Sequence, residues 1–206
     1  MRIEYDIVAK AITYYELAGY RYIDVPWQVS LDALMITAPS FLSKDDVVKA
    51  NPNGFVASGE QSFLQMVIDK KLSKGKYCCA TPCFRPNDDL KDGLHFPNFF
   101  KVELIEYMGD DICDAAKTAG KVDSMTEKAA IFMENILGKD LLIESIIDDE
   151  RAGCLSSFCC DIVTLMTKIE LGSYGYRVAD QIGSWIYGTG VALPRLTIVG
   201  DDKWRI

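Results

Sequence analysis

Apolar residues recur at Ile7, Ala11, Tyr15 and Ala18, the spacing of one helix face, and Gly19 closes that helix. Residues 20–25 are aromatic and β-branched and run into Pro26, which predicts a short strand. A second helix is predicted from Ser58, where Ser58-x-x-Gln61 has the form of a capping box. Its buried face is Leu64, Val67, Ile68, the stem of Lys71, and Leu72. Residues 77–85 read as a strand, 86–93 (PNDDLKDG) as a turn and 99–107 as the returning strand. On that strand Phe100, Val102 and Leu104 share one face, and Phe99, Lys101 and Glu103 the other. Met125, Ala129, Phe132 and Ile136 mark a third helix with Gly138 as its C-cap. A further strand is predicted over 162–171. Residues 188–195 (GTGVALPR) read as a glycine turn leading into a helix whose first turn tolerates Pro194. Helices and strands mix without strict βαβ alternation. The expected class is therefore α+β, a mainly antiparallel sheet flanked by helices.

Composition narrows the setting. The 206 residues, 49% hydrophobic and 25% charged, suit one globular domain spanning 1–206. Lys plus Arg is 22 and Asp plus Glu is 30, so the net charge is −8 and general attraction to a phosphate backbone is excluded. No apolar run approaches the roughly 18 residues of a membrane span, and the polar, periodic N-terminus is not a signal peptide. The seven cysteines include the adjacent pairs Cys78-Cys79 and Cys159-Cys160, a spacing of neither a disulfide framework nor a CxxC zinc site. A cytoplasmic setting is expected, with Cys78, Cys79 and Cys83 packing as small apolar residues.

Four strings can carry chemistry. In the hairpin, Arg85, Phe99 and Glu103 converge on one sheet face. A guanidinium fork suits a phosphate, the aromatic plate a purine, and the carboxylate a polar group. On residue pattern alone, the plainer arrangement is favoured: a surface Arg85–Glu103 ion pair, with Phe99 packed under a helix. Glu60 can receive an ammonium group, or simply complement the dipole of the helix it starts. Glu170 and Ser173 offer hard oxygens to Mg²⁺, or sit in a solvated turn. The glycines before Arg195 allow close backbone approach to a terminal phosphate, although the string is neither a Walker loop nor GxGxxG. The single histidine, His95, has no Ser or Cys partner in a triad-like string, so nucleophilic catalysis has no support.

In series, ELAGYRYIDVPW, TPCFRPNDDLKDGLHFPNFFKVELIEY and GTGVALPR resemble the three motifs of the class II aminoacyl-tRNA synthetase catalytic core. TPCFR, FxKVE and GTGxALPR are similar to the seryl type, and SGE stands where that type carries Thr-x-Glu. The resemblance covers about 7–199. It implies an enzyme that uses ATP and Mg²⁺ to turn a small polar, serine-like amino acid into an aminoacyl-adenylate, for transfer to tRNA or another acceptor such as a carrier protein. Arg85 would bind the α-phosphate and substrate carboxylate, Phe99 would stack on adenine, and His95 and Arg195 would approach the γ-phosphate. Glu170 and Ser173 would hold Mg²⁺. Ser58, Glu60, Arg85, Glu103 and Thr189 would line the amino-acid pocket. The first motif implies a homodimer.

Some positions depart from that pattern. Asn87 replaces the usual glutamate, His95 an arginine and Tyr187 an asparagine, and Ser58 excludes the cysteine of zinc-dependent relatives. The short loop after Arg85 sets Asp88, Asp89 and Asp92 against Lys91, so weak tRNA binding is expected. Neither a tRNA-binding arm nor an anticodon-binding domain is expected. The alternative is a catalytically silent paralogue acting as a nucleotide-binding or regulatory subunit.

Overall fold

The computed structural model describes residues 3–38, 43–86, 92–111, 114–146 and 158–200. Helix α1 (Tyr5–Leu17) forms where the periodicity predicts it, burying Ile7, Val8, Ala11 and Tyr15 and ending before Gly19. The predicted strand over 20–25 shortens to β1 (Arg21–Tyr22), which pairs parallel with β5 (Gly75–Phe84). A hairpin joins β5 to β6 (Asn98–Gly109), with Cys79 opposite Glu103 and Cys83 opposite Phe99. Three more elements carry the rest of the sheet: β7 (Leu141–Ile146), β8 (Cys159–Thr164) and β9 (Glu170–Ala179). With β10 (Gly183–Leu193) the seven strands run in the order β1-β5-β6-β10-β9-β8-β7. Every pair after the first is antiparallel, as the α+β expectation requires.

One sheet face is covered by α1 and α4 (Ala115–Leu137). Asp114 caps α4 by accepting from the Lys117 amide, and Gly138 closes it with φ 63°. Met125, Ala129 and Met133 of α4 pack with Val102, Leu104, Ile186 and Val191 of the sheet. The opposite face carries α3 (Gly59–Ile68), whose Phe63 and Leu64 pack on Tyr77, Ile105 and Trp185. Beside α3 lie α2 (Leu31–Ile36) and a small sheet ordered β2 (Gln28–Val29), β4 (Asn53–Phe55), β3 (Lys49–Ala50). Helix α5 (Arg195–Gly200) closes the described chain. Among the described residues no helix is long and apolar enough to cross a membrane.

Several expectations change. Helix α3 ends at Ile68 because Lys70 turns left-handed with φ 57°, so Lys71 lies in solvent while Leu72 still reaches the core. The box is incomplete as well: Ser58 Oγ accepts from the Glu60 amide, but Gln61 Oε1 accepts from the Ala57 amide, one residue before the cap. The single strand predicted over 162–171 is a hairpin, broken between Thr164 and Glu170, where Lys168 has φ 55°. The glycine turn over 188–195 is instead the end of the central strand β10, and Pro194 stands just before α5 rather than within it. Glycine is used there for space: a Cβ on Gly188 would meet the Tyr174 ring at 2.4 Å, and one on Gly190 the Tyr15 ring at 2.7 Å. Cys78, Cys79 and Cys83 are buried in β5 as expected, whereas Cys159 is disulfide-bonded, against the cysteine spacing argument. Most of the turn over 86–93, with Asn87, Asp88, Asp89 and Lys91, lies outside the described residues.

Candidate functional site

The polar face of β6 is where the two packing layers leave room. Phe100, Val102 and Leu104 enter the α1–α4 core, which turns Phe99, Lys101 and Glu103 toward a cavity of about 570 Å³. That volume is in the range of small-molecule sites. The first turn of α3, the ends of β5 and β9, the middle of β10, the small sheet and α5 supply the other walls. All ten residues singled out from the sequence line this one cavity: Ser58, Glu60, Arg85, His95, Phe99, Glu103, Glu170, Ser173, Thr189 and Arg195.

Arg85 leaves β5 at its end and donates Nε–H to the Ala57 carbonyl at 3.0 Å. Its guanidinium carbon lies 5.2 Å from the Phe99 ring centroid, a cation–π distance. The Arg85–Glu103 ion pair does not form. Instead the Glu103 Oε1 accepts from Ser58 Oγ at 2.6 Å and pairs with Lys101 Nζ at 2.6 Å, with both charged side chains almost entirely buried. Arg85 lines the cavity, and among the described residues no carboxylate pairs with it.

Arg195 enters from the start of α5. It donates Nη1–H to the Glu170 carbonyl at 3.2 Å, with the Glu170 carboxylate 3.8 Å away. Ser173 Oγ donates to Glu170 Oε1 at 3.1 Å. This carboxylate and hydroxyl are the hard oxygen donors that Mg²⁺ prefers. Among the described residues no group of three or more His, Cys, Asp or Glu gathers around a common point, so any cation here would need ligands from elsewhere. On the rim, His95 Nδ1 contacts the Asp92 carboxylate, which also accepts from the Leu94 and His95 amides. The His95 and Leu94 backbone bonds, with the imidazole, hold the Asp92 carboxyl down to about 2.

The sequence reading named Glu60 and Tyr187 but missed Arg177 and Trp185, which tie them into an inner wall. Glu60 Oε2 accepts from Arg177 Nη1 at 2.6 Å, and its Oε1 accepts from Trp185 Nε1 at 2.7 Å. The Arg177 guanidinium carbon lies 4.2 Å from the Tyr187 ring centroid. Arg177 is the lone cation of β9, and nothing in its local string marks it. Thr189 lies opposite Glu103 on β10, and its carbonyl accepts from the Tyr174 hydroxyl at 2.5 Å.

No family profile and no curated protein sequence matches the chain. Its fold nevertheless superposes on solved synthetases. A pyrrolysyl tRNA synthetase from Desulfitobacterium hafniense (PylSc) aligns with TM-score 0.70 and 13% identity, over 94% of this chain and 67% of that one. The cytoplasmic serine-tRNA ligase of Naegleria fowleri, solved in complex with AMP, aligns with TM-score 0.70 and 16% identity, over 92% of this chain and 47% of that one.

The fold is that of a class II synthetase core.

The resemblance read from three strings is thus borne out at the level of fold. The chain spans about two thirds of one relative and about half of the other. On this fold, the hairpin β5–β6, the pair β9–β10 and the start of α5 bring the candidate residues around one hollow.

Proposed function

We propose that the chain activates a small polar amino acid with ATP, making an aminoacyl-adenylate and pyrophosphate. The observation that carries this reading is the placement of Arg85 and Arg195, from separate elements, on the wall of a single cavity. Arg85, which has no counter-ion among the described residues, would take the α-phosphate together with the substrate carboxylate. Phe99, already beneath that guanidinium, would stack on the adenine. His95 and Arg195 would meet the γ-phosphate. Glu170 and Ser173 would hold Mg²⁺, which would supply charge neutralisation of the triphosphate.

The substrate carboxylate attacks Pα in line. Its oxygen forms the new P–O bond as the bond from Pα to the bridging oxygen breaks, and pyrophosphate leaves with that electron pair. The attacking group is already ionised at neutral pH, so no general base is needed. The protein's part is positioning and charge stabilisation. Ser58, Glu60, Glu103 and Thr189 would receive the amino acid. Each carboxylate has about four acceptor sites, so Glu60 and Glu103 can face the ammonium while keeping their present partners. The activated group would pass to tRNA or to a carrier protein. The chain would work as a homodimer through α1 and β1, consistent with Leu17 being 85% exposed on α1.

Amino-acid-dependent exchange of pyrophosphate into ATP is the test, run with all twenty amino acids. Exchange with a small polar one is expected, and none with any sinks the reading. One observation favours a silent, nucleotide-binding paralogue instead: Glu60, the proposed ammonium contact, is already tied to Arg177 and Trp185. Calorimetric ATP binding without exchange is the outcome that reading requires.

A further inference from the structure

On the adenylate reading, on which this step rests, the amino-acid end of the cavity has an inner boundary built from Arg177 and Tyr187. We propose that the Arg177–Tyr187 stack is the specificity-determining wall of that subsite, and that it limits the substrate to an amino acid with a side chain the size of serine or threonine.

The wall is fixed from every side. Tyr187 shares a face of β10 with Trp185 and Thr189, and its partner across the ladder in β9 is Gly175. A Cβ on Gly175 would lie 2.8 Å from the Tyr187 hydroxyl oxygen and 2.9 Å from its ring. The phenol therefore lies across β9 at a place that only glycine leaves open. Arg177, two residues further along β9, lays its guanidinium over that ring. Glu60 holds Arg177 from α3, and Trp185 holds Glu60 from β10. Behind the ring, Ile105 and Trp185 fill the core under α3. Arg177 and Tyr187 are each only 6% exposed, yet both line the cavity.

A wall that cannot retract selects by volume. The hydroxyls of Ser58 and Thr189 and the Glu103 carboxylate remain at the near side to meet a short polar group. A longer side chain would have to displace a ring packed to interior density, and each surplus methylene in such a pocket is worth roughly 10–200-fold in discrimination. Tyr187 is the element that meets the substrate. Arg177 is a positioning residue that acts by holding the ring flat.

The test is the ratio of kcat/KM for serine and threonine to that for leucine and phenylalanine, read by pyrophosphate exchange, with ATP binding followed by calorimetry. The full chain is expected to favour the small pair by about a hundredfold or more. Tyr187→Ala opens the subsite and lowers the ratio at least tenfold. Tyr187→Leu, which keeps apolar volume toward the core, does the same if the alanine variant fails to fold. Tyr187→Phe keeps the ring and keeps the ratio. The pair Arg177→Met with Glu60→Gln lowers the ratio, and Arg177→Lys, which retains a cation toward Glu60, keeps more of it. An unchanged ratio in folded, ATP-binding Tyr187→Ala or Tyr187→Leu overturns the wall, as does a wild-type preference for large side chains. Both of those results leave the adenylate reading standing. Wild-type protein that exchanges with no amino acid overturns that reading and the wall with it.

Discussion

Arg177 and Glu60 stand 117 positions apart in the chain, yet Nη1 of one lies 2.6 Å from Oε2 of the other, with both side chains 7% exposed. Helix α3 and strand β9 are thus joined by a buried ion pair. Removing one partner strands a charge away from water, so Glu60→Ala should destabilise the fold by about 3–5 kcal/mol. The isosteric pair Glu60→Gln with Arg177→Met should recover most of that loss. Urea denaturation of the three proteins measures the difference, and equal losses in the single and double variants would contradict it.

Among the described residues Arg85 makes one neutral hydrogen bond and one ring contact, so on the adenylate reading its guanidinium would contribute little to stability and much to anion binding. Arg85→Ala should reduce exchange by roughly 10²–10³-fold with a small change in Tm. Arg85→Lys should fall between, because a point charge lacks the fork that grips two oxygens.

Ser173 Oγ donates to the Glu170 carboxylate, which on the adenylate reading would be offered to Mg²⁺. In Glu170→Gln the Mg²⁺ concentration for half-maximal exchange should rise by about tenfold. A Mg²⁺ titration at fixed ATP checks this, and an unchanged midpoint would remove Glu170 from the metal site.

The Asp92 carboxyl, held to about 2 by the His95 and Leu94 amides and the imidazole, gives the rim a defined acid response. A carboxyl lowered in the folded state contributes its stabilisation fully above its unfolded value near 4 and loses it as pH falls through the folded value. The Leu94 and His95 amides should keep their hydrogen-exchange protection at pH 5 and lose it toward pH 2. Asp92→Asn should shift that loss out of the window.

Glycine at position 190 answers to packing. A Cβ there would sit 2.7 Å from the Tyr15 ring and 3.0 Å from the Val102 carbonyl. Gly190→Ala should therefore cost about 1–3 kcal/mol, as overpacking of a filled core does. Chemical denaturation measures it.

These elements also show where sequence reading works. Helices α1 and α4 and the hairpin β5–β6 were legible because each buries one face, and burial writes a period into the chain. The break between β8 and β9 was hidden because the turn holds neither Gly nor Pro, and left-handed Lys168 carries no signal. Strands β2, β3 and β4 are two or three residues long, too short for an alternation to register. Strand β10 was misread because its glycines make room for Tyr174 and Tyr15, both remote in sequence. The site divides the same way. Arg85, Phe99 and Glu103 share one hairpin and could be placed together, whereas Arg177 meets Glu60 only after the whole sheet has formed.

Strand β10 carries one more lesson in its irregular pairing, where Thr189 faces Glu103 but Val191 already faces Val102. Gly190 is the surplus residue. Before it, odd-numbered Trp185 and Tyr187 pack on the α3 side, while after it odd-numbered Val191 and Leu193 enter the α1–α4 core. A single inserted position thus reverses the numbering parity midway while each face keeps its role: Ile186 and Val191 both lie in the core, and Tyr187 and Ala192 both line the cavity. Removing Gly190 would join Thr189 to Val191 in a regular ladder that keeps both faces, so what the surplus residue contributes is the local bend and added twist with which the chain runs on toward Arg195.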